Sequence, residues 1–579
     1  MFGWCGRILQ IDLCKKSVKT FTPDPDISNR FIGGRGLAGY FLKEHITLNW
    51  DAPDMPVLFF TGPLANTPSP FSGFVNVMSR SPLTGTVGDS SVGGSFGIQL
   101  KKAGFDGIIV TGRSDILCGI EIHNSKINIV PVAHMAGMHT GDAGALLKGK
   151  GSTAVIGPAG ENGVLFSNII FDNNIAGCRN GLGLVLAAKN LKYITVKGTK
   201  KTKVFDPGEL EKSKEDIFRL ICASPVLSGN FGISKFGTAA LFDLINDRKM
   251  MPTDNFRHTF FKHASLLNAP YLKKLYRPKD EGCPGCSIMC KKITKKGINI
   301  PEFETLSHFS ALIGNTDIET VISANRLCNE TGMDTISAAS TIACYLEISG
   351  NKLGPSEILG LLSDIAYKKG EGEYLGLGAA RYAKMKGFPD AAMTVKNQEL
   401  SAYDPRGSYG MALSYATSTR GGCHLSAYPV SYEILRKPVA TDRFIFEGKA
   451  RIIKNSEDLN AAIDSLAVCR FIFFAASMEE YARVFYAVTG ISLPAHELIR
   501  AGERIYYNER MMNAANGFSE KEDDLPSRFF DSFGYKGADI KIRPINRKRF
   551  LKARANYYKA RGLDKSGMPV TEIIKRLEL

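Results

Sequence analysis

The hydrophobic patterning of this chain changes period near residue 206, and that change limits the folds open to it. Before it, short runs rich in β-branched and aromatic residues recur: Ile8 to Leu13, Val57 to Thr61, Gly107 to Thr111, Gly119 to Ile122, Ile127 to Val132 and Tyr193 to Val196. Gly, Pro, Asn and Asp punctuate them, as between strands. After residue 206 the apolar residues fall at helical spacing through to the C-terminus. Thr316 and Glu319 read as a capping box opening a helix through Val321, Ala324, Leu327 and Cys328 that stops at Gly332. Asp334 is placed to N-cap a second helix carrying Ile336, Ile342, Ala343 and Leu346. The joint from Asn329 to Asp334 therefore presents a helix N-terminus, an end suited to anionic or hydrogen-bond-accepting ligands. The chain has 579 residues, too many for one core. The expectation is an α+β protein with a β-rich domain over residues 1–205 followed by a mostly helical remainder.

Composition excludes several classes. Hydrophobic residues make up 44% and charged residues 22%, as in ordinary globular proteins. No stretch approaches the roughly 18 apolar residues of a membrane helix. Met1 to Gln10 lacks the apolar core of a signal peptide. A cytoplasmic protein without a membrane partner is expected. The net charge is +16, and the densest basic run is Arg543 to Arg561. A solvated helix face is the plainer reading of that run, and a docking surface for an acidic redox protein the sharper one. Neither zinc-finger spacing nor an RNA-binding aromatic signature is present, so a nucleic-acid partner is not expected.

Of the twelve cysteines, Cys14, Cys118, Cys222 and Cys344 stand singly in apolar runs and are expected to fill the core. Residues 281–292 are different. Cys283, Cys286 and Cys290 form C-x2-C-x3-C, with Pro284 and Gly285 supplying the tight turn. Three thiolates this close can wrap one metal centre. Zinc sites usually pair two C-x2-C units or add histidine, and neither accompanies this trio. A disulfide does not suit a reducing compartment. An iron–sulfur cluster needs a fourth thiolate, often distant in sequence. Cys469 and Cys423 are the candidates, and spacing leaves both open. Glycine is dense at Gly33-Gly34-Arg35-Gly36, Gly93-Gly94 and Gly181 to Gly183. Such loops mark either backbone approaching a large ligand or tight strand turns.

Taken together, several segments resemble the tungsten-containing aldehyde:ferredoxin oxidoreductase family over essentially the whole chain. They are Gly33 to Leu37, Thr61 to Leu64, Arg80 to Gly85, Gly93 to Gly97, Gly157 to Asn162, Lys189 to Lys192, the cysteine trio, Pro301-Glu302-Phe303-Glu304, Ala402 to Gly407, Tyr415-Ala416-Thr417 and Arg420-Gly421-Gly422-Cys423-His424. Each is weak alone; their common order is specific. The resemblance implies a β-rich base for two pterins followed by two mostly helical domains, placed here at residues 206–403 and 404–579, with a tungsten or molybdenum held by the pterin dithiolenes, one [4Fe-4S] cluster, and a magnesium ion between the pterin phosphates. It assigns Cys283, Cys286, Cys290 and Cys469 to the cluster, favouring Cys469 over Cys423. It aligns two pterin-binding segments with Asn329 to Asp334 and Asp464 to Cys469. Ser91, Gly93, Gly94, Arg179, Asn329, Gly332, Asp334 and Asp464 become expected cofactor contacts.

Two polar residues of the family's metal pocket fall on Glu304 and His424, a carboxylate able to act as base and an imidazole able to hydrogen-bond substrate oxygen. Glu302 is the more solvent-facing carboxylate of the pair. Four positions depart from the family pattern: Phe74 stands where an arginine links cluster and pterin, Ser91 where an asparagine carbonyl helps hold magnesium, Asn329 where aspartate opens the first pterin segment, and Ala467 where glycine is usual in the second. The implied activity is oxidation of a small aldehyde to a carboxylic acid, with electrons passing to ferredoxin or another acidic carrier. A homo-oligomer or a small iron–sulfur partner subunit would suit that activity. The alternatives are a metal–pterin reductase acting on another substrate, such as an aromatic acyl thioester, and a zinc-stabilised binding protein without redox activity.

Overall fold

The computed structural model describes residues 2–177 and 179–579. Cys178 lies outside the described residues. The first 200 residues build two six-stranded sheets. In the first, Ser17–Phe21, Ile8–Asp12, Gly107–Thr111, Val57–Thr61, Val75–Arg80 and Val87–Val92 lie side by side. In the second the order is Ile175–Gly177, Ile169–Phe171, Ser152–Ile156, Leu191–Lys197, Cys118–His123 and Lys126–Pro131. One neighbouring pair in each sheet is parallel and the rest are antiparallel.

The sheets face each other across one apolar core. Leu9, Ile11, Phe59, Val77 and Val110 meet Ile120, Ala154, Ile156, Phe171 and Ile194, with Phe96 and Leu100 of helix Phe96–Ala103 among them. The opposite face of the first sheet carries Leu58, Phe60, Met78 and Ile109. It packs on Leu37 and Leu42 of helix Gly34–Leu42, and on Ala461, Ile505 and Met512 of helices Lys449–Leu466 and Ala495–Ala515. The late helices thus lie directly on the early sheet. The largest core runs from Phe242 through Val321, Ile342 and Tyr415 to Phe550, without a break at residue 403.

All six expected strand runs are present, and six further strands accompany them. Gly33 to Gly36 proves to be a helix start rather than a loop. A side chain on Gly33 would meet Gly62 Cα at 2.8 Å and the Ser465 carbonyl at 2.9 Å, and one on Gly34 would collide with the Asp464 carbonyl. These glycines therefore admit another stretch of the chain itself. The expected Thr316–Glu319 box does not form. Helix Ile318–Thr331 is capped by Asp317, whose carboxylate accepts from Thr320 N at 3.0 Å. Aspartate is the stronger cap, and it displaces the start by one residue. Gly332 closes that helix at φ +77°, and Asp334 caps Thr335–Ser349. Cys118 and Cys344 are buried, but Cys14 is exposed in the turn between strands Ile8–Asp12 and Ser17–Phe21, and Cys222 is exposed on the outer side of helix Pro207–Ala223. In the basic run, helix Arg547–Arg561 buries Phe550, Ala553, Tyr557 and Tyr558, while its basic side chains are exposed or half-buried except Arg561, which is buried against Glu457 and Asp458.

Among the described residues no single helix is long and apolar enough to cross a membrane. The bent pair Pro207–Ala223 and Pro225–Asp247 meets that measure only jointly, and its Leu210, Ile217, Ile221 and Leu227 lie in the protein core.

Helix Lys449–Leu466 ends on Ala467 at φ +62°, a left-handed conformation that favours glycine. Tertiary bonds hold the alanine there. Its carbonyl accepts from Gly73 N at 3.0 Å and Phe74 N at 3.2 Å, and Cys469 N donates to Phe71 O at 2.9 Å. Ala467→Gly should therefore raise the urea midpoint, by a stability gain of about 0.5–1 kcal/mol, because relief of strain exceeds the added freedom of the unfolded chain. An unchanged or lower midpoint would show that the alanine methyl contributes more by packing than its conformation costs.

Candidate metal and cofactor site

A short ribbon, Lys279–Glu281 paired with Lys291–Ile293, closes the cysteine loop. Within it Cys286 N donates to Cys283 O at 3.0 Å, and Gly285 has φ +73°. Cys283 Sγ accepts from Gly94 N at 3.2 Å. A side chain on Gly93 would stand 2.8 Å from that sulfur and 3.1 Å from the Phe74 ring. Only glycine lets the thiol and the aromatic ring come so near the strand end. Gly93 and Gly94 thus face the thiols.

Cys286, Cys290 and Cys469 pack with Ile288, Phe71 and Val468 in one apolar cluster. Burial raises the Cys469 thiol well above the usual range, and the neighbouring thiols of Cys290, Cys283 and Cys286 raise it further. Burial likewise pushes Cys290 up to about 12, with Glu302, Cys283 and Cys286 adding to the rise. The four sulfurs are therefore neighbours. Cys423 is elsewhere: its sulfur accepts from Arg420 Nη2 at 2.8 Å and from Leu425 N at 3.3 Å. Among the described residues no three His, Cys, Asp or Glu side chains stand close enough to hold a single metal ion, the four thiols included.

Beside the thiols, the first sheet carries an unusual set of polar groups. Asn76 and Ser91 are directly opposed across two strands, and Asp89 follows on the same face. Both amide atoms of Asn76, the Ser91 hydroxyl and one Asp89 oxygen are buried without a partner. So are Asn168 Nδ2 and Asn180 Oδ1. Buried polar atoms are nearly always hydrogen-bonded, so a cluster of orphans marks a place shaped for a polar ligand.

Arginines border it. Arg35 grips Glu509 through Nε and Nη2 at 2.6 and 2.7 Å and reaches Asp464 at 3.3 Å. Arg420 Nη1 meets Asp89 at 3.0 Å. Arg470 Nε donates to Asp464 Oδ1 at 2.9 Å. Arg179, at φ +81°, pairs with Asp334 at 3.4 Å and donates to Ser401 Oγ at 3.1 Å, Gly422 O at 3.0 Å and Glu399 O. Orphaned donors and acceptors with guanidinium groups fit what a phosphate-bearing pterin presents.

Of the expected contacts, Ser91, Arg179, Asp334 and Asp464 belong to this bay, and Gly332 forms the turn that packs against Gly157. Asn329 does not join them. Its amide donates back to Asn325 O at 2.9 Å, and its carbonyl is taken by Thr140. Arg35 and Arg420, charges set within glycine-rich segments, carried a signal that was not singled out. Asn76, Asp89 and Glu509 had none, since only sheet register and late-helix packing bring them here.

Glu304 and His424 meet at the wall of a cavity of about 240 Å³, lined also by Tyr403, Tyr428, Phe471 and Phe474. Glu304 lies in the first turn of helix Phe303–His308; Glu302, just before it, is exposed. Its Oε2 accepts from Ala402 N at 2.8 Å, while Oε1 is buried without a hydrogen-bond partner and lies 3.5 Å from His424 Nε2. Burial pushes this carboxyl up to about 7. Burial holds His424 well below its ordinary value, with Arg179, Arg420 and Arg470 adding to the effect. The imidazole is therefore neutral. Ser401 Oγ accepts from Arg179, leaving its hydrogen for His424 Nδ1 at 2.8 Å, so Nε2–H faces Glu304. His308, one turn on from Glu304, places Nδ1 2.7 Å from the Glu304 carbonyl and Nε2 3.2 Å from the Leu400 carbonyl, and burial lowers it to about 4. No sequence motif marks it.

The same architecture is found in an oxidoreductase of known structure. A chain of the active site complex BamBC of benzoyl coenzyme A reductase, solved with 1,5-dienoyl-CoA, superposes with a TM-score of 0.86 over 100% of this chain and 97% of that one. At 21% identity this likeness establishes the fold. The chain belongs to the aldehyde ferredoxin oxidoreductase family, whose N-terminal domain matches residues 8–198 and whose domains 2 and 3 match residues 212–579. Tungsten-containing aldehyde ferredoxin oxidoreductases of Thermococcus kodakarensis and Pyrococcus furiosus are each 33% identical to it, over 98% and 100% of this chain and 97% and 99% of theirs. The WOR-like subunit of an aliphatic sulfonate oxidoreductase of Pyrococcus furiosus is 25% identical over 100% of this chain and 97% of its own length. The chain is accordingly an oxidoreductase.

Proposed function

We propose that this protein oxidises an aldehyde to a carboxylic acid at a tungsten or molybdenum bis-pterin centre, with Cys283, Cys286, Cys290 and Cys469 holding a [4Fe-4S] cluster. The observation that carries the reading is the unpartnered Glu304 oxygen beside His424 Nε2 at the cavity wall. When bound, the metal–pterin group supplies a two-electron acceptor, and the cluster an exit for single electrons. Water and an aldehyde yield the acid, two protons and two electrons. Glu304 Oε1 takes a proton from water or from the hydrated aldehyde, and His424 Nε2–H orients the aldehyde oxygen. The aromatic walls exclude water and favour an aromatic or bulky apolar substrate. Arg35, Arg179, Arg420 and the orphaned Asn76 and Ser91 would hold the pterins and their phosphates. The Ser91 backbone would serve the magnesium between them.

The electron acceptor is ferredoxin or another acidic carrier, and the site of action is the cytoplasm. The proposed domains are residues 1–205, 206–403 and 404–579, the two helical ones sharing one core. A second reading, reduction of an aromatic acyl thioester in the same cavity, draws on the same aromatic lining. Metal content of anaerobically purified protein is the first test. About four irons with one tungsten or molybdenum per chain is expected. Zinc alone, from a host able to make pterin, would sink the redox reading. Turnover of aromatic acyl thioesters but not aldehydes would select the second.

A further inference from the structure

The cysteine loop reaches the surface. Pro284, Gly285, Ser287 and Met289 are exposed, with the thiols just beneath. The surface around it has two properties that core packing does not explain. Residues 262–296 hold nine lysines and arginines against two acidic side chains, a net +7 of the chain's +16. Beside them stands Phe231, 78% exposed and the most exposed large apolar residue among those described. It stacks on Phe236 with ring centroids 6.3 Å apart and 12° between planes. Lys273 Nζ stands 5.0 Å over the Phe236 ring and donates to Lys235 O at 3.3 Å.

This patch is joined to the thiol loop. Phe236 ends a short helix, and a side chain on the next residue, Gly237, would stand 2.6 Å from Cys290 O. Lys292 donates to both Ser234 O at 2.7 Å and Met289 O at 2.8 Å, tying that helix to the loop. Apolar centre, cationic rim and buried thiols thus lie together. Aromatic residues ringed by charge are the usual make-up of a docking surface, and complementary charge mainly speeds encounter.

We propose that the face formed by Phe231, Phe236, Lys235, Lys273, Lys274 and Met289 docks a small acidic iron–sulfur protein, so that electrons cross between its cluster and the one held by the four thiols. The proposal rests on the redox reading above, since it takes the thiols to hold a cluster. The basic helix Arg547–Arg561 is the control, being cationic and largely exposed on its basic side, and packed through Tyr557 and Tyr558 into a cluster that holds none of the patch residues.

The test uses the full chain, purified without oxygen, and an acidic plant-type ferredoxin as probe. Binding is measured directly, and turnover is followed separately with methyl viologen as acceptor. Lys273→Glu/Lys274→Glu should weaken ferredoxin binding at least tenfold and flatten its salt dependence, with viologen-linked turnover unchanged. Phe231→Ser should weaken binding several-fold with little change in the salt slope. Lys548→Glu/Lys552→Glu should change neither. Equal binding by wild type and patch variants would overturn the proposal, as would a loss confined to the control pair. Patch-dependent binding of a DNA duplex in preference to ferredoxin, or patch-dependent self-association in sedimentation, would overturn it too. Binding needs no turnover: ferredoxin held through the patch by a protein inactive on aldehydes would sink the proposed reaction and leave the surface standing.

Discussion

Glu304→Gln should lower the rate of aldehyde oxidation by about 10²- to 10⁴-fold, the usual loss when a positioned general base is removed. The amide keeps the size and the acceptor that meets Ala402 N, so the fold around it should survive. What disappears is the proton-accepting oxygen that faces His424. The pH profile gives the sharper readout. Burial places the carboxyl near 7, and only the ionised form takes a proton, so kcat/KM should rise with pH through about 7 and then level off. His424 is already neutral over that range and adds no second limb. In Glu304→Gln the rising limb should be absent.

Stability should move the other way. The folded chain keeps a proton that the unfolded chain releases near pH 4.5, so the Glu304 contribution to stability falls from there to about pH 7 and is then fully lost. A Gln variant that keeps both the rate and the rising limb would remove Glu304 from the chemistry.

Cys469→Ala should abolish the cluster, taking iron from about four per chain to near zero and removing its absorption and paramagnetic signals, because three thiolates leave one iron of a cubane without its protein ligand. Cys423→Ala should leave the iron count at that of wild type. The contrast is the test, since both cysteines lie in the last third of the chain and both are candidates by spacing. Iron lost from the Cys423 variant and kept by the Cys469 variant would reverse the assignment. The geometry opposes that reversal: Cys469 feels the other three thiols, whereas the Cys423 sulfur receives Arg420 and Leu425.

Much of this arrangement was legible before any coordinates, and what was legible was local. Strand runs such as Val57–Thr61 declare themselves because β-branched and aromatic residues suit a pleated surface. Asp334 announces its helix because a cap acts within three residues. Strands Val75–Arg80 and Val87–Val92 were passed over. Their Asn76, Asp89 and Ser91 break the apolar pattern, and those are the residues facing the polar bay. The cost of burying them does not appear in a local pattern, because their counterpart is a ligand. Thr316 misled because two adjacent residues could both cap, and the choice fell to Asp317. Gly33 and Gly34 announced close approach without naming what approached, which proved to be residues 464 and 465. Asn329 followed its family place in sequence, while its side chain followed its own helix.

The bridge between residues 71–74 and 467–469 has a consequence for how such a protein is made. Cys469 is anchored to Phe71 O, and Cys283 is anchored to Gly94 N, so the thiols meet only where early sheet, middle loop and late helix have come together. At ordinary synthesis rates roughly 10–40 s separate the emergence of Cys290 from that of Cys469. Until then the first three thiols wait in a loop that nothing late in the chain has yet covered. Insertion of a complete cluster on the proposed ligands must therefore wait until the segment carrying Cys469 has emerged and docked on the early sheet. A chain ending at residue 460 should leave the ribosome without iron, however much of its sheet has already formed.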